Sequence, residues 1–169
     1  MPVFSNEQIG IFLSLFSGRE DVFAVRWEKE SKSGSMPAYD LNWNEFAKHK
    51  LRGGTLKDFS HKQFSKLSQQ RIINHLIGKE VIGLYPLLSD NSSWFIVADF
   101  DESLTSKRSW IDECRAFIEI CNQYQLPAYL ERSRSGKGGH VWIFFDLNFP
   151  AYKSRKIVLH ILEFAGIIS

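Results

Sequence analysis

Residues 94–101, Trp94-Phe95-Ile96-Val97-Ala98-Asp99-Phe100-Asp101, and residues 133–145, Ser133-Arg134-Ser135-Gly136-Lys137-Gly138-Gly139-His140-Val141-Trp142-Ile143-Phe144-Phe145, decide the reading of this chain. The first is an apolar run that closes on two acids spaced i and i+2. On a strand both carboxylates stand on one face, where one or two divalent cations can bridge them. The second is a glycine-rich turn that leads straight into another apolar strand. Glycines let backbone N–H groups turn toward an anion, while Lys137, Arg132, Arg134 and the His140 imidazole add charge or donors for phosphate.

Each half also has a plainer reading, and both stay open on the residues alone. One aspartate of the pair can cap a following helix, with Asp101 or Ser103 placed before a start near Leu104. The turn Ser135-Gly136-Lys137-Gly138-Gly139 can be an ordinary hairpin loop. Their combination favours chemistry, because His140 opens a strand next to a basic loop and follows the carboxylate pair by one helix and one strand.

Working outward, the spacing of Ile9, Phe12, Leu13 and Phe16 predicts a helix over 6–16 with Ser5 as N-cap. Residues 21–27 alternate as a strand, 31–35 read as a loop, and 39–54 are ambiguous. Residues 60–77 read as one helix ended by Gly78. Residues 81–88 and 93–101 read as a hairpin that carries the aspartates to its open end. A helix over 110–124, a strand over 127–131, the strand after His140 and a last helix over 152–164 complete the chain. The expected fold is α+β, an RRM-like antiparallel sheet with helices on one face, preceded by an N-terminal α/β lobe. The expected division is a helical, basic lobe over 1–80 and the sheet-bearing lobe over 81–169, packed as one compact unit. Trp142, Phe144 and Phe145 read as a core strand in preference to a base-stacking one. Glu131 and Asp146 read as solvated strand ends, and His49, His61, His75 and His160 share no ligand spacing.

With 169 residues and a net charge of +2, the chain has the composition of a soluble enzyme. No run approaches the roughly 18 to 20 apolar residues of a membrane span, and the first residues lack the pattern of a signal peptide, so a cytoplasmic location is expected. Cys114 and Cys121, two turns apart on one helix face, suit buried thiols better than a disulfide or a zinc site. The charge is unevenly spread. From Lys48 to Lys79 eight Lys or Arg residues face one acid, a net +7; from Glu80 to Glu131 the net is −6, and from Arg132 onward +4. Basic surface for a nucleic-acid backbone beside carboxylates for metal is what an enzyme acting on nucleic acid needs. A solvated lysine-rich helix face over 57–71 is the alternative.

At these residues the chain resembles the archaeo-eukaryotic primase superfamily, closest to the primase domain of TOTE conflict systems. The phrases that carry the resemblance are FLSLFSGREDVFAVRWE (12–28), HLIGKEVIGLYPLLSDNSSWFIVADFDE (75–102) and CNQYQLPAYLERSRSGKGGHVWIFF (121–145). The resemblance implies an RRM-like core with a DxD motif, matched by Asp99 and Asp101 as metal-binding and catalytic residues, and an S-x-H type motif. Ser135 and His140 match the residues that hold the incoming triphosphate, with Lys137, Gly138 and Gly139 in the same motif. Arg134 and Lys137 join as phosphate contacts on charge alone. The implied activity is nucleotidyl transfer from NTPs or dNTPs on a single-stranded DNA or RNA template, with Mg²⁺ or Mn²⁺ and a two-metal mechanism. A helicase domain in the same longer chain is an implied partner, and no membrane is.

The chain departs from the family pattern in two places. Residues 42–60 lack the cysteine cluster common in this branch, so zinc is not expected. No third carboxylate is identified, because the family places it on a strand after the last helix, where the chain ends; the expectation is an N-terminal part of a longer polypeptide. That leaves a non-catalytic nucleotide- or single-strand-binding module derived from a primase as the alternative. A sugar-nucleotide transferase would share the DxD but not need the basic interval or the glycine-His turn. A histidine-pair endonuclease is disfavoured because Val141 and Trp142 follow His140.

Overall fold

The computed structural model describes residues 4–102 and 108–168. It divides the chain into two compact units, Met1–Phe12 with Gly18–Tyr85, and Leu13–Ser17 with Pro86–Ser169.

The chain opens with helix α1 (Asn6–Leu15), close to the expected bounds, and Ser5 Oγ accepts from Gln8 N at 3.2 Å. In the first unit β1 (Ala24–Lys29) pairs antiparallel with β2 (Lys32–Pro37), so residues 31–35, expected as a loop, are mostly strand. The turn between them is only two residues long, with Glu30 at φ 55°, and such a tight turn hands the chain directly back into a ladder. The ambiguous stretch resolves into β3 (Tyr39–Leu41) and helix α2 (Trp43–Leu51), with Asn42 accepting from Asn44 N and Glu45 N as N-cap. The single helix expected over 60–77 is a correction. Residues 62–64 form β4 (Lys62–Phe64) against β3, and the helix, α3 (Gln69–Leu76), starts only after Ser68 caps Arg71 N. Lys62 explains why: its Nζ donates to the carbonyls of Leu56, Lys57 and Phe59 at 2.7, 2.9 and 2.7 Å, which holds the preceding loop in a non-helical path. Strand β5 (Ile82–Gly83) then pairs with β1.

The second unit holds β6 (Ser92–Asp101), α4 (Trp110–Gln123), β7 (Tyr129–Arg132), β8 (Gly138–Pro150) and α5 (Ala151–Phe164). The sheet order is β6-β8-β7, all antiparallel. The β-α-β-β-α connectivity and helix-covered sheet make this an α+β fold, with five of the six elements of a ferredoxin-like unit. The expected hairpin between 81–88 and 93–101 does not form. Pro86 has no N–H for such a ladder, β5 is claimed by β1, and the partner of β6 is β8. A turn does lead into β6: Leu88 N donates to Ser92 O, and Asp90 accepts from Ser92 N and Oγ, which holds the Asp90 carboxyl below the usual carboxylate range. Ser109 caps α4 by accepting from Asp112 N. The alternative start near Leu104, with Ser103 as cap, lies outside the described residues.

One face of the sheet is packed and the other is open. Ala98, Phe100, Val141 and Ile143 meet Cys114, Phe117 and Cys121 of α4 and Val158 and Ile161 of α5. Both cysteines are fully buried free thiols, as their spacing led one to expect, and burial pushes each thiol up to about 11. Among the described residues no helix is long and apolar enough to cross a membrane.

Candidate active site

Alternation along the strands sends Asp99, Asp101, His140 and Trp142 to the open face while their neighbours enter the core. Because β8 is the middle strand, His140 has a partner on each side: Asp99 of β6 and Glu131 of β7 lie directly across from it. The three side chains form one row. His140 Nε2 is 3.5 Å from Asp99 Oδ1, and His140 Nδ1 is 3.3 Å from Glu131 Oε2. Glu131 Oε2 also accepts from Trp142 Nε1 at 2.8 Å. The imidazole side chain is 30% exposed, against 62% for Asp99 and 56% for Glu131, so a held ring sits between two carboxylates that reach solvent.

The next row pairs Asp101 with Gly138. A Cβ at 138 would lie 2.6 Å from Phe100 O and 2.8 Å from Asp101 Oδ1. The missing side chain is therefore what lets the Asp101 carboxylate lie against β8. Gly139 faces the other way, where a Cβ would meet Trp110 at 2.9 Å and Leu130 at 3.1 Å, so packing demands glycine there.

The turn between β7 and β8 has its own bracing. Gly136, at φ 74°, donates to Ser133 O, Ser133 N donates to Gly138 O, and Lys137 N donates to Ser135 Oγ at 3.2 Å. These amides are engaged inside the turn rather than turned outward as a phosphate cradle. Arg132 Nη2 donates to Gly136 O at 3.3 Å and so braces the loop. Arg134, Ser135 and Lys137 remain exposed at the end of the strands that carry Asp101 and Gly138.

Two expectations change. Glu131, expected as a solvated strand end, is a member of the row. Trp142 and Phe144, expected in the core, stand on the open face, where Phe16 packs edge-on against both; Phe145 alone of the three packs on the helix side. The signal for Glu131 lay in the hairpin register: a five-residue connection between 132 and 138 puts 131 opposite 140.

The basic interval is also refined. Of its eight cations, Lys62 is turned onto three carbonyls and Arg71 pairs with Glu80 at 2.7 Å, while Lys48, Lys50, Arg52, Lys57, Lys66 and Lys79 are exposed.

An acidic pair at a strand end, a histidine on the adjoining strand and a basic glycine turn is the geometry the resemblance implied. A family model described as the archaeo-eukaryotic primase domain of TOTE conflict systems matches residues 7–168. The chain belongs to this family. Membership places this primase-family domain among the primase-like nucleotidyltransferases. A comparison with curated proteins finds no match.

Domains of this kind are generally metal-dependent, and the donor set fits a small hard cation. Among the described residues no three His, Cys, Asp or Glu side chains form a closed metal cage. Mg²⁺ does not need one, since it is commonly held by one or two carboxylates together with substrate phosphates. Asp99 and Asp101, both exposed on one strand face beside a cationic turn, supply those carboxylates.

Proposed function

We propose that the chain is a primase-polymerase nucleotidyltransferase that joins nucleotides from NTPs or dNTPs on a single-stranded template. The observation that carries this reading is the row Asp99, His140 and Glu131 across three strands, with Asp101 lying over Gly138 next to the basic turn.

Asp99 and Asp101 hold Mg²⁺ or Mn²⁺, which supplies Lewis acidity to a 3′-hydroxyl and to the triphosphate. His140 reaches the same position from the neighbouring strand and hydrogen-bonds a phosphate oxygen. Glu131 fixes the orientation of His140, and Trp142 fixes Glu131. Lys137 and Arg134 offset phosphate charge from the turn, and Ser135 donates its hydroxyl hydrogen to the same group. The protein's contribution is thus position and charge, which is what phosphoryl transfer mostly requires. The exposed lysines and arginine between Lys48 and Lys79 supply counter-charge for a nucleic-acid backbone, giving the salt dependence expected of such contacts.

Equilibrium binding of ATP and dATP, with Mg²⁺, Mn²⁺ or EDTA, tests the reading. Cation-dependent binding that is lost in Asp99→Ala supports it. Single-strand binding with steep salt dependence, but no cation-dependent nucleotide binding, would turn the reading to the non-catalytic module.

A further inference from the structure

On the open face of the same sheet, beyond His140, lies a cavity of about 600 Å³ that the proposed transfer step does not use. Its walls include Phe16, Tyr129, Trp142 and Phe144, and two carboxylates, Glu131 and Asp146. The Trp142 and Phe144 rings are nearly parallel, with 5° between their planes and centroids 6.2 Å apart. Phe16 packs edge-on against both at 84° and 87°, which braces them. Tyr129, 59% exposed, lies 6.0 Å from Phe144 and forms the outer wall.

This lining selects by chemistry. Flat aromatic walls favour a flat ring, since ring faces stack on one another. The polar groups are ionised acids that only accept hydrogen bonds, so an anion is repelled and an aliphatic group leaves them unsatisfied. Glu131 Oε2 is already engaged by His140 and Trp142. Asp146 enters no hydrogen bond or ion pair among the described residues, and it is the acceptor at the far end of the cavity. Position matters as well. Trp142 is four strand residues from Gly138, about 13 Å along β8 at the usual rise. A molecule with its phosphates at the turn and its ring over Trp142 would lie along the strand.

We infer that this cavity holds the base of the nucleoside triphosphate and favours one whose edge presents adjacent N–H donors, guanine above all, with Asp146 accepting from it. The inference rests on the reading of Asp99, His140 and the turn as the phosphate site. Trp142 and Phe144 form the inner wall and Tyr129 closes the outer one. A carboxylate facing the ring N–H and amino group of guanine makes the two-point contact that charged acceptors favour.

The test is equilibrium binding of GTP, ITP and inorganic tripolyphosphate in the presence of Mg²⁺ to the wild type, Tyr129→Ala and Asp146→Asn, with thermal unfolding as the control for folding. GTP and ITP differ only in the amino group at position 2 of the base. The wild type is expected to bind GTP about tenfold more tightly than ITP, the scale of a hydrogen bond to a charged acceptor. Asp146→Asn should erase that difference. Tyr129→Ala should weaken both nucleotides several-fold and leave tripolyphosphate unchanged. Equal affinity for GTP and tripolyphosphate, unaffected by Tyr129→Ala, overturns the base site and leaves the phosphate reading standing. Equal affinity for GTP and ITP overturns the assignment to guanine. Failure of GTP and tripolyphosphate alike to bind overturns the phosphate reading and the base site together.

Discussion

The Glu131 oxygen that accepts the Trp142 indole N–H at 2.8 Å is the same oxygen that faces His140 Nδ1 at 3.3 Å. One atom thus links an aromatic wall of the open face to the histidine of the proposed site. Glu131→Gln keeps the shape of the side chain and removes its charge. Transfer should fall about tenfold to a hundredfold, the range for losing a group that orients a functional histidine. Trp142→Phe should give a smaller fall in the same direction. Steady-state turnover with a thermal unfolding control checks both; full activity in Glu131→Gln would show that His140 needs no such support.

Gly138 is where fold and site meet. Gly138→Ala places a methyl group 2.6 Å from Phe100 O and 2.8 Å from Asp101 Oδ1, so backbone or carboxylate has to move. The expected cost is about 1–3 kcal/mol, as for other overpacked positions. Denaturant unfolding measures it, and Mn²⁺ titration of the same variant should show weakened binding because the displaced group is Asp101.

The two buried thiols give a pH signature. Each ionises at about 11 in the folded chain, raised from 9.0 by burial. A raised acid group leaves stability intact below the unfolded value, and stability is lost as pH rises from there through the folded value. The chain should therefore lose stability between pH 9 and 11 through this pair, and Cys114→Ala with Cys121→Ala should flatten that part of the profile. Thiol reagents at neutral pH should react with either cysteine only on unfolding.

How much of this was legible in the residues follows from which interactions are local. The α4 and α5 helices and the β7–β8 hairpin were readable because periodicity and a glycine turn act within a few residues. The pairing of β6 was not, since its neighbour is β8, some forty residues on, and the nearer strand 82–83 was taken by β1. The segment 60–77 misled because apolar spacing cannot show that Lys62 closes a loop on three carbonyls. Asp99, Asp101 and His140 were legible from strand alternation and adjacency to the turn. Glu131 was not weighted correctly, because its importance comes from cross-strand register. Trp142 and Phe144 were misplaced because an apolar run does not reveal which face remains open.

That loop is itself testable. Lys62→Met retains the aliphatic stem and removes the donors from three carbonyls at 2.7–2.9 Å. Leaving buried acceptors unpaired costs about 1–3 kcal/mol. Hydrogen exchange should show the loss confined to residues 54–64, with the β6-β8-β7 sheet unaffected; equal protection in the variant would show that the carbonyls find other partners.

The central claim is that Asp99 and Asp101 carry nucleotidyl transfer. The most direct measurement is Mn²⁺-dependent incorporation of labelled nucleotide on single-stranded DNA by the wild type, Asp99→Ala and Asp101→Ala, each with its unfolding temperature. The account requires incorporation by the wild type and a loss of at least about a hundredfold in both variants with folding retained, as when stabilisation of transition-state charge is removed. Undiminished incorporation in either variant, or none by the wild type, would contradict it.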